Sequence, residues 1–415
     1  MYDVLVAGGG AAGFFTAINC AERNPELRIA ILEKSNDVLA KVRISGGGRC
    51  NVTHAEFIPS ELAKNYPRGG KELISPFHRF MCGDVMEWFE QRGVSLKIEE
   101  DGRVFPASNS SQTIIDCFTD TAHRLGISLF KKQNITRIEP ATEGWKVSSD
   151  NDTFLSEKLV IATGSNPKIW KMLAQLGHTI VPPVPSLFTF RCHDNLINAI
   201  PGTVAEVSLR LFDLDDRPLK ERNQPVDGGG IKGSMLITHW GVSGPAVLKL
   251  SAWGARVLAD AAYQFHLCVD WLPEYTESEI RELFQKEKKQ SKQKITNSQR
   301  FALAKRLWKS AVAKSHICEE TTWAELTKIQ TETLIAILKR TILHIDGKAT
   351  FKEEFVTAGG VKLSEIDFKT YRSKLCPQLY LAGEVMDIDA VTGGFNFQNA
   401  WTGGYHIAEA ITKKV

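Results

Sequence analysis

Three glycines near the N-terminus have a spacing that suits the binding of a dinucleotide phosphate. Gly8, Gly10 and Gly13 form a G-x-G-x-x-G pattern, with Ala11 and Ala12 before the last glycine. In such a turn the first glycine permits the sharp bend and the second lets backbone approach a pyrophosphate. The third allows the helix to pack closely on the strand. Because glycine is common, the pattern is informative only between a strand and a helix.

The neighbouring segments have that context. Residues 3–7 form an apolar run that predicts a strand, and residues 11–23 predict an uninterrupted helix. A second predicted strand, 28–32, ends at Glu33, where a carboxylate can accept hydrogen bonds from a ribose. An ordinary glycine-rich turn is the alternative. We favour a dinucleotide site that includes Glu33 and Lys34, because strand, glycines, helix, second strand and acid all occur in register.

A second glycine cluster occupies residues 41–51 and is rich in hydrogen-bond donors. Three successive glycines between Ser45 and Arg49 indicate backbone that wraps an anionic or planar ligand, with two nearby basic residues adding positive charge close to a diphosphate. A bare surface loop is the alternative, but it would not explain the density of donors. The predicted ligand-binding residues of this block are Lys41, Arg43, Ser45, Gly46, Gly47, Arg49, Cys50 and Asn51.

Later segments return to the same predicted sheet. Residues 158–164 predict a buried strand, and its end, Ala162-Thr163-Gly164, permits close approach of a nucleotide. Residues 378–383 predict another parallel strand, which Glu384 follows directly. The last helix is predicted to start near Gly394 and to run to about Thr412, so that its N-terminus offers a partial positive charge.

The order of these elements predicts an α/β protein that is interrupted by an insertion. A Rossmann-like parallel sheet with a small β-meander is expected from residues 1–186 together with 350–415. Between them, residues 187–272 are typical of strands and residues 273–349 of helices. We therefore predict an inserted domain over 187–349 that is part β-barrel-like and part helical.

Several motifs together resemble flavoproteins of the glutathione-reductase-like structural group. They are the N-terminal fingerprint, the Ala162-Thr163-Gly164 strand end, and a closing motif over residues 379–384 and 393–400. Three further blocks, at 45–51, 238–245 and 357–361, narrow the resemblance. The whole chain is similar to the bacterial FAD-dependent oxidoreductase family that includes aminoacetone oxidase-like and BaiN-like proteins.

This resemblance implies a placement for FAD. The diphosphate would bind at the first glycine cluster, the adenosine ribose at Glu33 and the adenine at the backbone of Ile135. The isoalloxazine ring would lie near the 45–51 block and the start of the last helix, where positive charge favours reduction. The C-terminal residues implied in binding are Gly383, Glu384, Asp387, Gly394, Phe395 and Asn396.

The chain offers only weak candidates for catalysis by side chains. No Ser-His-Asp or Cys-His set is visible, so a bound flavin would carry the redox chemistry. Cys50 lies beside Arg49, which is expected to lower the pKa of its thiol, but no second cysteine is near enough to form a redox disulfide. We therefore favour a structural role for Cys50, or a position merely near the flavin. His239, next to Trp240, could line a substrate pocket or pack at a strand end.

Three functions follow from these patterns. The leading hypothesis is an FAD-dependent oxidoreductase that passes a hydride through flavin N5 between NAD(P)H, or a small organic substrate, and an acceptor. An FAD-dependent oxidase of small amines that uses oxygen, and a non-redox protein that retains FAD, are the alternatives. A plain NAD dehydrogenase is disfavoured, because residues 162–164 and 383–396 would then serve no ligand. NAD(P)H would have to dock at the flavin directly, because there is no second fingerprint.

Composition indicates the cellular compartment of the protein and the kind of partner it binds. The 415 residues carry a net charge of +3, and their eight cysteines are scattered, which indicates reduced thiols in a cytoplasmic protein. A strand from residue 2 leaves no room for a signal peptide, and no membrane span or metal-ligand spacing is evident. We expect a small-molecule substrate. The basic stretch 281–314 favours a solvated helical face over a nucleic-acid surface, because no aromatic residues are spaced for base stacking. The oligomeric state is not indicated.

Overall fold

The protein, seen in a computed structural model, consists of two compact units. The structure describes residues 1–221, 224–298, 300–349 and 356–413. Unit 1 comprises Met1–Pro183 and Val356–Val415, and unit 2 comprises Val184–Phe355. The predicted α/β class with a parallel sheet is confirmed. The boundary that was predicted at 349–350 adjoins residues 350–355, which lie outside the described ranges.

The first segment of unit 1 alternates short strands with helices. In chain order its elements are β1 (Tyr2–Ala7), α1 (Ala11–Arg23), β2 (Ile29–Leu32), α2 (Ala40–Gly48), β3 (Thr53–His54), α3 (Pro59–Ala63), α4 (Gly70–Phe77), α5 (Cys82–Glu90), β4 (Leu96–Ile98), β5 (Arg103–Pro106), α6 (Ser111–Arg124), β6 (Ser128–Phe130), β7 (Ile135–Ala141), β8 (Gly144–Ser149), β9 (Thr153–Ile161) and α7 (Pro167–Gln175). Strand β10 (Ile180–Ser186) follows, and its last three residues belong to unit 2.

Unit 2 begins with strands and continues with helices. Its elements are β11 (Phe190–Cys192), β12 (Val204–Phe212), β13 (Lys220–Glu221), β14 (Gln224–Pro225), β15 (Ile231–Thr238), β16 (Gly241–Ser243), α8 (Pro245–Trp253), α9 (Ala255–Asp260), β17 (Phe265–Asp270), α10 (Glu277–Gln290), α11 (Lys305–Lys314), α12 (Lys328–Arg340) and β18 (Thr341–Lys348). The prediction of helix throughout 273–349 is therefore wrong for β18, which is a strand of the barrel described below.

The chain then returns to unit 1 through strands and one long helix. These elements are β19 (Val356–Val361), β20 (Ile366–Asp367), β21 (Arg372–Ser373), β22 (Leu379–Leu381) and α13 (Phe395–Thr412). The observed α13 agrees with the helix that was predicted from near residue 394 to about residue 412.

A parallel sheet positions the loops of unit 1. Strands β22, β9, β1, β2 and β6 are neighbours in that order, and all four pairings are parallel. The N-terminal half of β9 also pairs with β8 in the antiparallel meander. Residues 4–7 of β1 are completely buried, as expected for a central parallel strand. The carboxyl ends of β1, β2, β9 and β22 therefore meet at one edge of the sheet.

A closed barrel and a helical cluster form unit 2. The strands follow the order β11-β16-β15-β12-β17-β18, and β18 closes the barrel by pairing with β11. The basic stretch 281–314 does contain aromatic residues, but Phe284, Phe301 and Trp308 are buried in the hydrophobic core and cannot stack on bases. In the described part of both units, no helix has the length and apolar character that crossing a membrane requires.

Candidate cofactor site

The first glycine cluster lies in the turn from β1 to α1. A side chain at Gly8 would collide with the carbonyl of Ala162, and one at Gly13 would collide with the carbonyl of Gly8. Packing therefore requires both glycines, whether or not a ligand binds. Gly10 differs, because a Cβ there would meet no atom within 4 Å and its φ is an ordinary −95°. Close approach of a ligand explains a glycine at this position, and the sequence pattern predicts that this ligand is a diphosphate.

Glu33 stands at the end of β2 and holds the same turn. One of its carboxylate oxygens accepts the Gly9 N–H at 2.9 Å, and the other accepts the Ser35 N–H at 2.9 Å and the Ser35 hydroxyl at 2.8 Å. The backbone of Gly9 also accepts a hydrogen bond from the Leu39 N–H. The carboxylate is thus oriented by the protein alone, and the oxygen that accepts from Gly9 keeps a further lone pair for a ribose hydroxyl.

A cleft brings several predicted residues together at this edge. It is lined by Gly8, Leu32, Glu33, Lys34, Gln133, Asn134, Ile135, Thr163, Asn166 and Ile169. Glu33 and Ile135 thus share one cleft, as the proposed ribose and adenine contacts require. The Thr163 hydroxyl oxygen is buried and has no hydrogen-bond partner among the described residues. A polar ligand in the cleft would satisfy it.

The 41–51 block is a helix that unwinds. Within α2, Ser45 leaves the helical conformation, and the next residues, Gly46 and Gly47, are left-handed, with φ of +57° and +69°. Cys50 is also left-handed, with φ of +62°, although it is not a glycine. Side chains at Gly47 or Gly48 would meet nothing within 4 Å. The block therefore presents bare backbone to open space, as a wrapping loop does.

The basic residues of this block are not directed to the first glycine cluster. The Lys41 ammonium forms an ion pair with the Glu384 carboxylate, 343 residues away. Arg43 donates to the side-chain carbonyl of Gln112 at 2.8 Å. The Arg49 guanidinium pairs with Glu99 and lies 3.9 Å from the centroid of the Phe105 ring. The prediction that Lys41 and Arg43 supply charge to a diphosphate has no support from these contacts.

The C-terminal motif meets the N-terminal one at the ends of β9 and β22. A Cβ built at Gly383 would be 3.5 Å from the Ala12 side chain, and one built at Gly164 would be 3.7 Å from the Glu384 carboxylate. Glu384 is only partly buried. Asp387 is buried, and its N–H donates to the carbonyl of Val361. The geometry therefore gathers both halves of the predicted site.

The start of α13 is held against the 51–54 segment. Gly393 and Gly394 precede the helix with φ of +133° and +92°, and a Cβ at Gly394 would be 2.6 Å from the backbone of Thr53. The side-chain carbonyl of Asn51 is buried here and lacks a hydrogen-bond partner in the described part of the chain. A planar ligand with N–H groups, such as an isoalloxazine ring, would satisfy this acceptor.

Two clasps fix the connection before α13. The Asn396 side chain donates to the carbonyl of Ala390 and accepts its N–H, at 3.1 and 3.0 Å. The side-chain amide is therefore oriented by the backbone of Ala390, which leaves its second N–H for a cofactor contact. The second clasp is the buried ion pair of Arg68 with Asp389, whose guanidinium and carboxylate meet through two hydrogen bonds.

Comparison with known proteins identifies the family. The model of a family described as HI0933-like protein Rossmann domain matches residues 2–410. The chain belongs to this family. It is a group of FAD-dependent oxidoreductases, so the resemblance found in the motifs is confirmed and the chain is an enzyme of that class.

Relatives of known activity span the whole chain. It is 26% identical to the 3-dehydro-bile acid delta(4,6)-reductase of Clostridium scindens over all of both chains. It is 25% identical to the ribosomal RNA dihydrouridine synthase of Escherichia coli, over 99% of this chain and 98% of that protein. Among solved structures, the 3-ketosteroid-delta4-(5alpha)-dehydrogenase of Rhodococcus jostii RHA1 has the same fold. Its TM-score is 0.51 at 12% identity, over 100% of this chain and 97% of the other.

The expectation that Arg49 lowers the pKa of the Cys50 thiol is wrong. The thiol is fully buried, and burial raises its pKa to about 12, with a hydrogen bond from the Ser45 side chain acting in the opposite direction. The neighbouring guanidinium of Arg49 is directed to Glu99 instead. A thiol that stays protonated at neutral pH is neither a nucleophile nor a redox group, so a structural role is the better interpretation.

The structure contradicts one of the two roles that were predicted for His239. It lies in the turn between β15 and β16 of unit 2 and is exposed, with its ring centroid 6.3 Å from that of Trp240. The interpretation as a packed histidine at a strand end is therefore wrong. A role in substrate binding stays a prediction.

One residue of the site was missed by the sequence analysis. His54, three residues after Asn51, stacks on Phe395 with ring centroids 4.6 Å apart, and its Nδ1 is 3.2 Å from the carbonyl oxygen of Gly393. Its position directly after the 45–51 block was the available signal. The contact that gives it meaning joins residues 339 positions apart, which no local pattern reports.

Proposed function

We infer that this flavoenzyme reduces a carbon–carbon double bond that is conjugated to a carbonyl group. The observation that carries this inference is that full-length relatives with different substrates share this chemistry. By its name, one saturates ring double bonds of a 3-oxo bile acid, and the other saturates the uracil ring of uridine. In both substrates the double bond is polarised by a carbonyl group, so that one carbon accepts a hydride.

The residues at the sheet edge fit FAD. The backbone at Gly10 would receive the diphosphate, Glu33 the ribose, Ile135 the adenine and Glu384 the ribityl chain. When bound, FAD supplies hydride transfer at its N5 position, which connects NAD(P)H or another donor with the acceptor. The support for this placement is the open space at Gly10 and the buried oxygens of Thr163 and Asn51, which have no hydrogen-bond partner among the described residues.

The N-terminus of α13 can stabilise the negative charge that develops during reduction. The N-terminus of α13 has no acidic residue in its first turn and no side-chain cap, so its N–H groups keep their partial positive charge. That charge stabilises electron density that develops next to it during reduction. The two clasps at Arg68 and Asn396 hold this helix end in place, which lowers the reorganisation that the reaction would otherwise require.

Ribosomal RNA is a second candidate for the substrate. Relatives named as ribosomal RNA dihydrouridine synthases, from Escherichia coli and Haemophilus influenzae, align with nearly the whole chain at 25% and 24% identity. The stretch 281–314 of unit 2 contains eleven lysines and arginines and two acidic residues. Several of these cations are paired with carboxylates, among them Arg281 with Glu332, Arg300 with Glu287 and Lys314 with Asp194. Binding of RNA phosphates by the other cations would weaken steeply with salt.

An anaerobic titration tests the proposal and separates its alternatives. The purified protein is reduced with NADH or NADPH while the flavin absorbance is followed. A 3-oxo-Δ4 steroid, 2-cyclohexen-1-one or a ribosomal RNA transcript is then added. We expect bleaching by the nicotinamide and reoxidation by at least one of these acceptors, with the saturated product detected by mass spectrometry.

The other outcomes point elsewhere. Bleaching by small amines, followed by peroxide formation in air, would establish an amine oxidase and overturn the reductase. A bound flavin that responds to no donor would support the non-redox alternative. Reoxidation by the RNA transcript alone, lost at high salt, would select ribosomal RNA as the substrate.

A further inference from the structure

A loop of three glycines needs support from other residues to keep one shape. Gly46, Gly47 and Gly48 all have positive φ, of +57°, +69° and +85°. Glycine loses more conformational freedom on ordering than any other residue, so local preference does not hold this backbone in place. Cβ atoms built at Gly47 and Gly48 would meet no atom of the described residues within 4 Å, so packing on that side does not confine them either.

Backbone hydrogen bonds close the base of this loop. The Ser45 carbonyl accepts the N–H of Arg49 and also that of Cys50, the latter at 3.0 Å. The Ser45 hydroxyl donates to the carbonyl of Val42 at 2.9 Å. These bonds fix where the loop leaves α2 and where it ends. They do not fix the direction in which the glycines between these points face.

The side chain of Arg49 holds the first of these glycines. Its Nε–H donates to the carbonyl of Gly46 at 3.4 Å, and its guanidinium carbon lies 3.9 Å from the centroid of the Phe105 ring. A Cβ built at Gly46 would be 2.9 Å from Cε1 of the same ring. Arg49 and Gly46 therefore both rest on Phe105 and are bonded to each other. A guanidinium on an aromatic face is a favourable contact in which the planar group matters as well as the charge.

Phe105 gives this contact a fixed support. It is completely buried and belongs to β5, the central strand of the three-stranded sheet β3-β5-β4. On the same strand, the carbonyl of Val104 accepts the Val52 N–H at 2.8 Å, so the chain that follows the loop is attached to β5 as well. Glu99, in the turn before β5, accepts a hydrogen bond from Nη1 of Arg49 at 2.6 Å and compensates its charge.

We propose that Arg49 is a positioning residue for the flavin, an inference that rests on the placement of FAD in the proposed function. Its guanidinium clamps the backbone of residues 46–48 on Phe105, in the shape that receives the isoalloxazine ring. The positive charge of Arg49 is directed to Glu99 and not to the cofactor. The free protein therefore already holds a competent loop, and FAD does not have to order the glycines when it binds.

Binding of ADP separates this clamp from a general loss of structure. ADP has the adenosine and diphosphate that suit the first glycine cluster, but no ring to place at residues 46–48. In Arg49→Met we expect the Kd for FAD to rise about tenfold or more, as it does when a tenth or less of the free protein is competent to bind. The Kd for ADP should stay within about twofold of wild type. Fluorescence quenching measures the first Kd and isothermal titration calorimetry the second. Equal weakening of both ligands would overturn the clamp.

Two further variants separate the clamp from a direct contact between the guanidinium and the flavin. Arg49→Lys keeps the charge but loses the planar group on Phe105, so the clamp predicts the same loss of FAD affinity as in Arg49→Met. Phe105→Leu removes the supporting ring and should also weaken FAD. Combining it with Arg49→Met should add little, because residues that act as one unit are not additive. Retained affinity in Arg49→Lys, or additive losses in the double variant, would point to direct contact and overturn the clamp.

Arg103→Met is the matched control. Arg103 shares Glu99, at 3.3 Å, and lies 5.4 Å from the centroid of the Phe105 ring, but its second partner is Asp101. Among the described residues, Arg103 has no hydrogen bond to the backbone of residues 46–48. Its replacement should therefore leave the Kd for FAD unchanged. A loss as large as that in Arg49→Met would show that any cation of this cluster suffices, which contradicts the proposal.

The remaining outcomes distinguish the clamp from the proposed function. If wild type binds FAD and Arg49→Met binds it equally well, only the role of Arg49 falls. If wild type binds ADP but not FAD, the placement of FAD fails and the clamp falls with it. If wild type binds FAD but passes electrons to no enone or RNA, the reductase fails and the binding results still decide the clamp. Should Arg49→Met not fold, Arg49→Lys and Phe105→Leu carry the decision.

Discussion

At the scale of single residues, Glu33 links the predicted ribose contact to the glycine turn. Its carboxylate is oriented by three hydrogen bonds from Gly9 and Ser35. Glu33→Gln preserves the shape but removes the charge that strengthens these bonds and any bond from a ribose. We expect the Kd for FAD to rise roughly tenfold to a hundredfold, because hydrogen bonds to charged groups contribute about 1.5–3 kcal/mol. Quenching of FAD fluorescence on binding measures this Kd.

Glu26→Gln is the control for this variant, because Glu26 is exposed and belongs to the same unit. Its Kd for FAD should equal that of wild type. If Glu33→Gln binds FAD as tightly as wild type, the carboxylate stabilises only the glycine turn and makes no contact with the ribose.

Cys50 leads to a prediction about pH. Burial raises the pKa of its thiol to about 12, so the reactive thiolate is scarce at pH 8 in the folded protein. We expect iodoacetamide at pH 8 to alkylate the exposed Cys318 and to spare Cys50 until the protein is unfolded. Peptide mapping by mass spectrometry reads both sites in one sample. Rapid modification of Cys50 in the native protein would contradict the burial argument.

The same shift has a consequence for stability. Because the folded-state pKa of Cys50 lies above the value of about 9 for an accessible thiol, its contribution is fully present below pH 9. The contribution is lost as pH rises toward 12, by about 1.4 kcal/mol per pH unit. Cys50→Ala should therefore flatten the decline of unfolding free energy above pH 9, as measured by urea denaturation across this range.

At the scale of elements, the start of α13 depends on the chain segment between α3 and α4. Asn65 accepts the Val391 N–H, Tyr66 donates to the Phe395 carbonyl, and Arg68 pairs with Asp389. This segment therefore acts as a brace for the helix end that is proposed to face the flavin. A single long helix could not hold its own N-terminus in place, because its first N–H groups have no partners within the helix.

Arg68→Met tests the brace. It removes the guanidinium from a completely buried carboxylate, so we expect a loss of about 3 kcal/mol or more in unfolding free energy. The affinity for FAD should also fall. Adding Asp389→Leu should restore part of the stability, because it removes the buried charge that has lost its guanidinium partner. Urea denaturation of the single and double variants measures both effects.

The exposed pair of Arg28 with Asp3 provides the comparison. The Arg28 side chain is 66% exposed, so Arg28→Met should change stability by less than about 1 kcal/mol. Similar losses in Arg28→Met and Arg68→Met would mean that burial of the second pair is unimportant.

At the scale of the whole molecule, we propose that residues 187–349 fold as an autonomous inserted domain. The barrel closes on itself through the β11–β18 pairing, and the hydrophobic core of unit 2 is built from residues between Phe188 and Ile345. A fragment of residues 187–349 should therefore melt cooperatively and show a near-ultraviolet circular dichroism signal from its buried tryptophans, Trp271, Trp308 and Trp323. A fragment without that signal would contradict the proposal.

A chain that lacks residues 187–349 tests whether unit 1 binds FAD without the insertion. Replacing residues 187–349 with a short glycine–serine linker should leave FAD binding to unit 1 intact, because the residues proposed to hold FAD all belong to that unit. Loss of binding in a folded chain of this kind would show that the insertion contributes to the cofactor site.

The sequence alone determined the elements that local chemistry specifies. The β1 strand, the glycine turn and α1 were predicted in register, because period, composition and glycine spacing all lie within about twenty residues. The same holds for β9 with its Ala162-Thr163-Gly164 end and for α13. Strand β18 was missed, because its alternating pattern follows directly on a helix with no break between them.

Only the tertiary structure decided which side chains act together. Lys41 with Glu384, Arg68 with Asp389 and His54 with Gly393 are each joined across more than 300 residues. Likewise, burial raises the pKa of the Cys50 thiol, whereas the neighbouring Arg49 was expected to lower it. A local pattern reports which face of an element is apolar. The distance between charges and the exclusion of water, which set pKa values and pairings, arise only when distant segments pack together.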